Sequence, residues 1–388
     1  MKLCDLTQFY SPFSGGVKRY VGEKIRHVRE HRPGDEHILI IPGERDECTG
    51  DERARTYTIA SPLISKTSRY RVLLRLEAIE RILERERPHL IESGDPYQVA
   101  WKAVHSGAAL GIPVIAFYHS HFPEAYVRTV SKFCGATLTE AFVDFARRYV
   151  RNLYNRFERT IVPSPALGEV LAEWGVERGR LFHSDLGVDT DIFRPARERG
   201  ENVRAELGIP SDRTLLLYVG RLAQEKNTHT LYDAFRRLPR DRFHLLVVGD
   251  GLQRRELHSL ISSHQSPVTH QPYCADARRL AAIYRAADLF VHPGVQETFG
   301  LVSIEAQACG VPVIGIRGSY MDRIIHTDQA VWADANTPDA LAQAILGHAH
   351  ACDADALHRR VAALFSWRQV FTRLFALYDE VIAQYRPR

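Results

Sequence analysis

Lysine is scarce in this 388-residue chain. Of 51 basic side chains 44 are Arg and 7 are Lys, and beyond residue 133 Lys226 stands alone. The acids number 47, so the formal net charge is only +4, and each half of the chain carries about half of it. That balance excludes a general nucleic-acid binder or a polyelectrolyte tail. The six cysteines (Cys4, Cys48, Cys134, Cys274, Cys309, Cys352) contain no C-x-x-C pair. Their scatter suits neither a zinc site nor a dense disulfide framework, and points to a reducing compartment. No uninterrupted apolar run approaches the roughly 18 residues that a membrane span needs. Met1-Lys2-Leu3-Cys4-Asp5 lacks the apolar core of a secretory signal and reads as the start of a strand. A cytoplasmic protein is expected, with the inner face of the membrane as a peripheral contact. The dinucleotide fingerprint G-x-G-x-x-G, with its acidic residue ending the second strand, is missing as well, which argues against an NAD-dependent oxidoreductase.

What is present fits a globular protein: 45% hydrophobic and 25% charged residues, over a length that calls for two or three domains. Short apolar runs at 215–219, 244–248, 268–273, 289–292, 312–316 and 330–333 alternate with helix-like stretches at 227–237, 252–263, 276–286 and 302–308. Strands alternating with helices predict a parallel sheet covered on both faces. The first half repeats the pattern, with strands expected at 2–9, 37–42, 89–93, 114–118, 160–163 and 181–184, and helices at 17–30 and 72–86. An α/β protein of two Rossmann-like, doubly wound domains follows, with a hinge near 191–202 around Pro195 and an amphipathic last helix over 367–385. Two such domains facing one another enclose a cleft, with ligands at the carboxyl ends of the strands.

Three stretches carry chemistry. Ser11-Pro12-Phe13-Ser14-Gly15-Gly16-Val17 follows the first strand and opens a helix. Glycines there allow close backbone approach, and a helix N-terminus attracts phosphate; the plain alternative is a tight turn. Gly220-Arg221-Leu222-Ala223-Gln224-Glu225-Lys226 leaves a strand with two cations five residues apart, which can converge on a diphosphate, Arg as a fork and Lys as a point charge. Two solvated surface charges are the alternative, and the lone Lys in an Arg-writing chain weakens it. In the run 292–306, Glu297 sits in a loop and Glu305 about one turn into a helix that starts near Leu301. The N–H groups of Phe299, Gly300 and Leu301 would face an anion. Carboxylates repel phosphate, so sugar and ribose hydroxyls are their natural partners; otherwise Glu297 is a helix cap and Glu305 a solvated charge.

Glu297 and Glu305 form E-x7-E, and Glu297-Thr298-Phe299-Gly300-Leu301 resembles the signature of family 4 retaining glycosyltransferases of GT-B fold (glycosyl transferases group 1). Gly220-Arg221…Lys226 resembles that family's G-R-x4-K, Gly249-Asp250-Gly251 its G-x-G, and Leu186-Gly187-Val188-Asp189…Phe193 its G-V-D…F segment. The resemblance implies an acceptor-binding domain over 1–192, a nucleotide-sugar donor domain over 193–365, and a segment 366–388 that crosses back to the first. It implies that Arg221 and Lys226 hold the donor diphosphate with the backbone of Gly15 and Gly16. Glu305 would bind the ribose, Glu297 with Thr298 to Leu301 the sugar, and Tyr273 would border the base. Thr298 stands where many relatives have Gly. His119 would face the reacting sugar, with His121 a rival for that place.

The implied reaction is transfer of a hexose from a nucleoside-diphosphate sugar, GDP-mannose first and UDP-glucose second, to a lipid or glycan acceptor with retention by same-face attack. Preorganised cations would stabilise the leaving diphosphate, and no D-x-D stands in the donor-domain loops, since Asp189-Thr190-Asp191 lies at the hinge. No metal and no cofactor are expected. The Arg-rich segments 63–87 and 125–160 have apolar residues at helical spacing and can rest on an anionic membrane surface, although solvated helix faces read the same way. A nucleotide-sugar 2-epimerase on the same frame and a non-catalytic sugar-nucleotide-binding protein are the alternatives.

Overall fold

In a computed structural model the described residues are 1–10, 16–64, 70–119, 136–196, 201–262, 267–295, 299–326, 332–348 and 352–387. The chain divides into two compact units, one comprising Met1–Asp185 with Val370–Arg388 and the other Leu186–Gln369.

The first unit is built on an eight-stranded sheet in the order β3-β4-β2-β1-β5-β6-β7-β8. Its strands are β1 Lys2–Leu6, β2 Glu36–Gly43, β3 Glu47–Gly50, β4 Ala54–Ala60, β5 Leu90–Ser93, β6 Val114–Phe117, β7 Thr160–Val162 and β8 Leu181–His183. All neighbours are parallel except β3, which turns back against β4. The expected strands are found within a few residues; β3 and β4 are additions. β3, with the sequence Glu-Cys-Thr-Gly, is exposed throughout and carries no apolar run, and β4 mixes Arg and Thr with its buried Tyr57 and Ile59.

The two faces of this sheet differ in kind. One is apolar: Leu6, Ile40, Ile91 and Ala116 pack with Ile79, Val99, Ala103, Val150 and Leu153 from the helices Leu76–Glu86, Gln98–Leu110 and Ala136–Tyr154. The other holds buried charge. Lys24, fully buried on the helix Gly16–His31, donates to Asp5 of β1 at 2.9 Å and to Glu92 of β5 at 2.8 Å. His37 of β2 meets the second Asp5 oxygen at 2.7 Å. Tyr20 donates to Glu92 at 3.1 Å, and Tyr378 of the final helix, Trp367–Gln384, donates to the other Glu92 oxygen. Burial raises the Asp5 carboxyl, but Lys24 and His37 together outweigh it and hold the group at about 2; burial leaves Glu92 raised.

The second unit is a five-stranded, wholly parallel sheet, β11-β10-β9-β12-β13, from β9 Thr214–Val219, β10 Phe243–Val248, β11 Val268–Gln271, β12 Leu289–Val291 and β13 Val313–Ile314. Both faces are covered, which is why its strands read as continuous apolar runs. The run expected at 330–333 enters as a single bridge, Ile316 with Ala333.

Three elements join one ammonium in the first unit, so removing it leaves two buried carboxylates without their ammonium, Asp5 with only His37 and Glu92 with only two tyrosine hydroxyls. Lys24→Met should cost about 3–5 kcal/mol, read as a lower urea midpoint for the first unit's transition. An unchanged midpoint would refute the cluster's structural role.

Candidate functional site

In the second unit the strand order reverses between β9 and β12, the place where an open parallel sheet leaves a crevice at its carboxyl edge. A cavity of about 270 Å³ lies there. The exit of β9 supplies Gly220, Arg221 and Lys226, and the exit of β12 supplies His292 and Gly294. Phe299, Gly300, Leu301 and Val302 close it from the start of the helix Leu301–Ala308.

Local sequence explains each wall. The backbone leaving β9 lies against the backbone leaving β10, through Gly220 N–H to Val248 O at 3.0 Å and Leu222 N–H to Asp250 O at 2.9 Å. A Cβ at Gly249 would stand 1.9 Å from Gly220 O, and one at Gly251 would stand 2.2 Å from Leu222 O. The G-x-G pair is therefore a packing device that steers the Arg221–Lys226 loop. That loop ends in a short 3-10 turn, Gln224–Lys226, closed by Asn227 at φ 58°, a left-handed conformation that Asn tolerates. Buried Asn227 donates to Pro293 O at 2.8 Å and to Asn336 Oδ1 at 2.7 Å, so one side chain pins the β9 exit to the β12 exit. Gly300 has φ 86° and is the helix N-cap; a Cβ there would meet Met321 Cε at 2.6 Å. Having no side chain, Gly300 cannot cap the first-turn N–H groups; that of Ser303 turns back to Gly300 O at 2.9 Å, and those of Leu301 and Val302 are left for an anion.

Arg221 pairs with Glu225 at 2.9 Å, with two-thirds of its side chain exposed. An exposed i,i+4 pair of this kind contributes only about 0.3–0.5 kcal/mol, so a phosphate can compete for the guanidinium. Two cations and a helix N-terminus around one small cavity suit a dianionic group.

Of the residues singled out from sequence, Gly220, Arg221, Lys226, Phe299, Gly300 and Leu301 meet at this cavity. Glu305 lies one turn further along the helix from Val302, buried, and accepts from Tyr284 at 3.0 Å. Tyr273 is 69% exposed and donates its N–H to Asp250 at 3.1 Å. Neither lines the cavity. Glu297, Thr298, Gly15 and His121 lie outside the described residues, and Gly16 is the first residue of its helix. His292, Val302 and the brace Asn227 were not named as site residues; the signal for Asn227 was an Asn directly after the loop lysine.

The first unit has its own reversal, between β1 and β5. At its carboxyl edge Phe9 packs edge-on against Tyr70 and Tyr97, at 5.7 and 5.5 Å between ring centroids. Buried Asp95 accepts N–H groups from Gln8 at 2.8 Å and Tyr97 at 3.4 Å, and burial pushes its carboxyl up to about 6. His119, just past β6, stacks on Phe117 at 4.1 Å and meets Tyr20 edge-on. Burial first, then the charge of Lys24, push its imidazole down to about 3. His119 is therefore neutral at neutral pH.

Comparison with known proteins bears on the family and the fold. Residues 14–192 match the model of Glycosyltransferase Family 4, and residues 200–347 that of Glycosyl transferases group 1. A GDP-mannose-dependent alpha-(1-6)-phosphatidylinositol dimannoside mannosyltransferase of Mycobacterium tuberculosis is 28% identical over 97% of this chain and 95% of its own. A GDP-mannose-dependent alpha-mannosyltransferase of Corynebacterium glutamicum is 27% identical, over 99% and 90%. Among solved structures, sucrose-phosphate synthase of Thermosynechococcus elongatus superposes with a TM-score of 0.74 at 23% identity, over 99% of this chain and all of that one. The chain belongs to the family 4 glycosyltransferases and has the GT-B fold. It is a glycosyltransferase that draws its sugar from a nucleotide donor.

The neutral state of His119 has a measurable sign. In the unfolded chain an imidazole takes a proton below about 6.5, whereas folded His119 does so only near 3. Its contribution to stability is thus complete above pH 6.5 and lost as the pH falls through that window. His119→Gln should lose less stability than wild type between pH 7 and pH 4.5 in urea titrations. Equal losses would contradict the neutral imidazole.

Proposed function

We propose that this enzyme transfers mannose from GDP-mannose to a lipid-linked saccharide with retention of the anomeric configuration and without a metal ion; UDP-glucose is the second-choice donor. The observation that carries the reading is the cavity at the β9/β12 reversal, where Arg221, Lys226 and an uncapped helix N-terminus converge. The donor base and the acceptor rest on the names of the mycobacterial and corynebacterial relatives.

In this mechanism the bond between the anomeric carbon and the diphosphate oxygen breaks, and its electron pair leaves with the phosphate. Arg221, Lys226 and the N–H groups of the Leu301–Ala308 helix stabilise that growing charge, the kind of term that usually dominates catalysis. The acceptor hydroxyl attacks from the same face and gives its proton to the departing phosphate oxygen. Neutral His119 offers one ring nitrogen as donor and one as acceptor to a sugar hydroxyl. Phe9, Tyr70 and Tyr97 give the acceptor side an aromatic lip. Two side-chain cations supply the positive charge that a divalent ion supplies elsewhere. Among the described residues no group of three or more His, Cys, Asp or Glu could hold such an ion. Among the described residues no helix is long and apolar enough to cross a membrane; in this reading a lipid acceptor is met at the surface.

A screen of GDP-mannose and UDP-glucose against lipid extract and simple sugars, read as nucleotide release, tests the assignment. Release should be fastest with GDP-mannose plus lipid extract, unchanged by EDTA, and at least about 100-fold slower in Arg221→Ala and Lys226→Ala, the loss of roughly 2.7 kcal/mol expected for one oxyanion contact. Near-normal turnover in both variants would refute the diphosphate site, and loss of activity in EDTA would refute metal independence.

A further inference from the structure

A second cavity, of about 1140 Å³, lies in the first unit between the helices Gln98–Leu110 and Ala136–Tyr154. It plays no part in the reaction described above. Its floor is apolar, from Val104, Ala108, Ile112 and Val114. Four aromatic side chains stand along it: Trp101, Tyr149, Tyr385 and Phe145, the last 62% exposed. Its rim is cationic, with Arg148, Arg151, Arg156 and Arg180 against the single carboxylate Glu158. Arg148 reaches Asp144 only at 3.9 Å, and Arg180 is held by Glu177 at 2.7 Å. Arg151 and Arg156 have no carboxylate within ion-pair distance among the described residues, although Arg156 lies 5.4 Å over the Trp101 ring.

From this groove we infer a docking face for an anionic phospholipid bilayer, with the rim arginines on headgroup phosphates and Phe145 entering the interfacial layer. One exposed and three half-buried aromatics beside arginines, over an apolar trough, match the layered chemistry of that surface, apolar beneath and anionic above. A second copy of this chain fits badly, because a two-fold contact sets the same patch against itself and brings arginine onto arginine. The helix Leu76–Glu86 is a poorer candidate despite its arginines. They alternate with Glu77, Glu80, Glu84 and Glu86, and its apolar residues Ile79, Ile82 and Leu83 are spent in the core.

The face is also well placed. Trp101 donates to Tyr149 OH at 3.1 Å, and Tyr149 donates to Pro96 O at 2.5 Å, one residue from Tyr97 of the aromatic lip. One end of the groove thus adjoins the proposed acceptor side within the same unit. The inference complements the lipid-borne acceptor reading, but its readout is binding alone.

The test is flotation of the full-length protein with vesicles of phosphatidylcholine, or of equimolar phosphatidylcholine and phosphatidylglycerol. Wild type should float with the anionic vesicles only, and less so in high salt. Arg148→Glu with Arg151→Glu should lower the partition at least about tenfold, given roughly fivefold per basic residue near such a surface. Phe145→Ser, at an exposed position where misfolding is not expected, should lower it independently. Arg81→Glu with Arg85→Glu on the Leu76–Glu86 helix should leave binding high. No binding by wild type, or groove variants that float like wild type, would overturn the proposal, as would a dimer abolished by the same variants without vesicle binding. Intact flotation without transfer to any lipid would refute the acceptor reading alone, and the reverse result would refute the docking face alone.

Discussion

The proposed donor site depends on a place where no side chain fits. The backbones leaving β9 and β10 are so close that a Cβ at Gly249 would stand 1.9 Å from Gly220 O. That contact sets the direction in which the loop carrying Arg221 and Lys226 departs, and Asn227 then ties the loop to the exit of β12. Cations held on a pinned loop need little reorganisation when charge develops on a leaving group, the condition under which electrostatic catalysis is effective. Gly300 performs the matching service on the other wall. Its left-handed backbone starts a helix without capping it.

The first unit solves a different problem. One face of its sheet is an ordinary apolar core, while the other gathers Asp5, Glu92, His37 and Lys24 out of solvent, sealed by Tyr20 and Tyr378. Buried ion pairs contribute little net stability, but they penalise wrong pairings heavily. Here the penalty fixes the register of three strands, one helix and the final helix at once. The same ammonium lies near His119 and, after burial, is the next cause of its low pKa. Structural charge and the proposed sugar-facing group are thereby coupled.

Much of this was legible in the sequence, for physical reasons. Strands buried on both faces, such as Leu215–Val219 and His244–Val248, appear as apolar runs that alternate with helical periodicity. The loop that reaches the β9/β12 cavity was legible because Lys226 is conspicuous in an arginine-writing chain. The antiparallel edge strand Glu47–Gly50 was not, because an exposed edge needs no apolar pattern. The role of Gly249 and Gly251 was half legible. Their motif marked the place, but only the packed backbone reveals that they serve a neighbouring loop. Nor could spacing show that Asp5, Lys24, His37 and Glu92 meet, since the sheet topology brings together residues up to 87 positions apart in sequence.

The central claim is that Arg221, Lys226 and the Leu301–Ala308 helix recognise a diphosphate. Calorimetric titration with a nucleoside diphosphate and with the monophosphate of the same base tests it most directly, because base and ribose are then constant. The account predicts that the diphosphate binds at least about tenfold tighter, a difference of roughly 1.4 kcal/mol, and that the advantage shrinks in high salt. Equal affinity for the two nucleotides would contradict it.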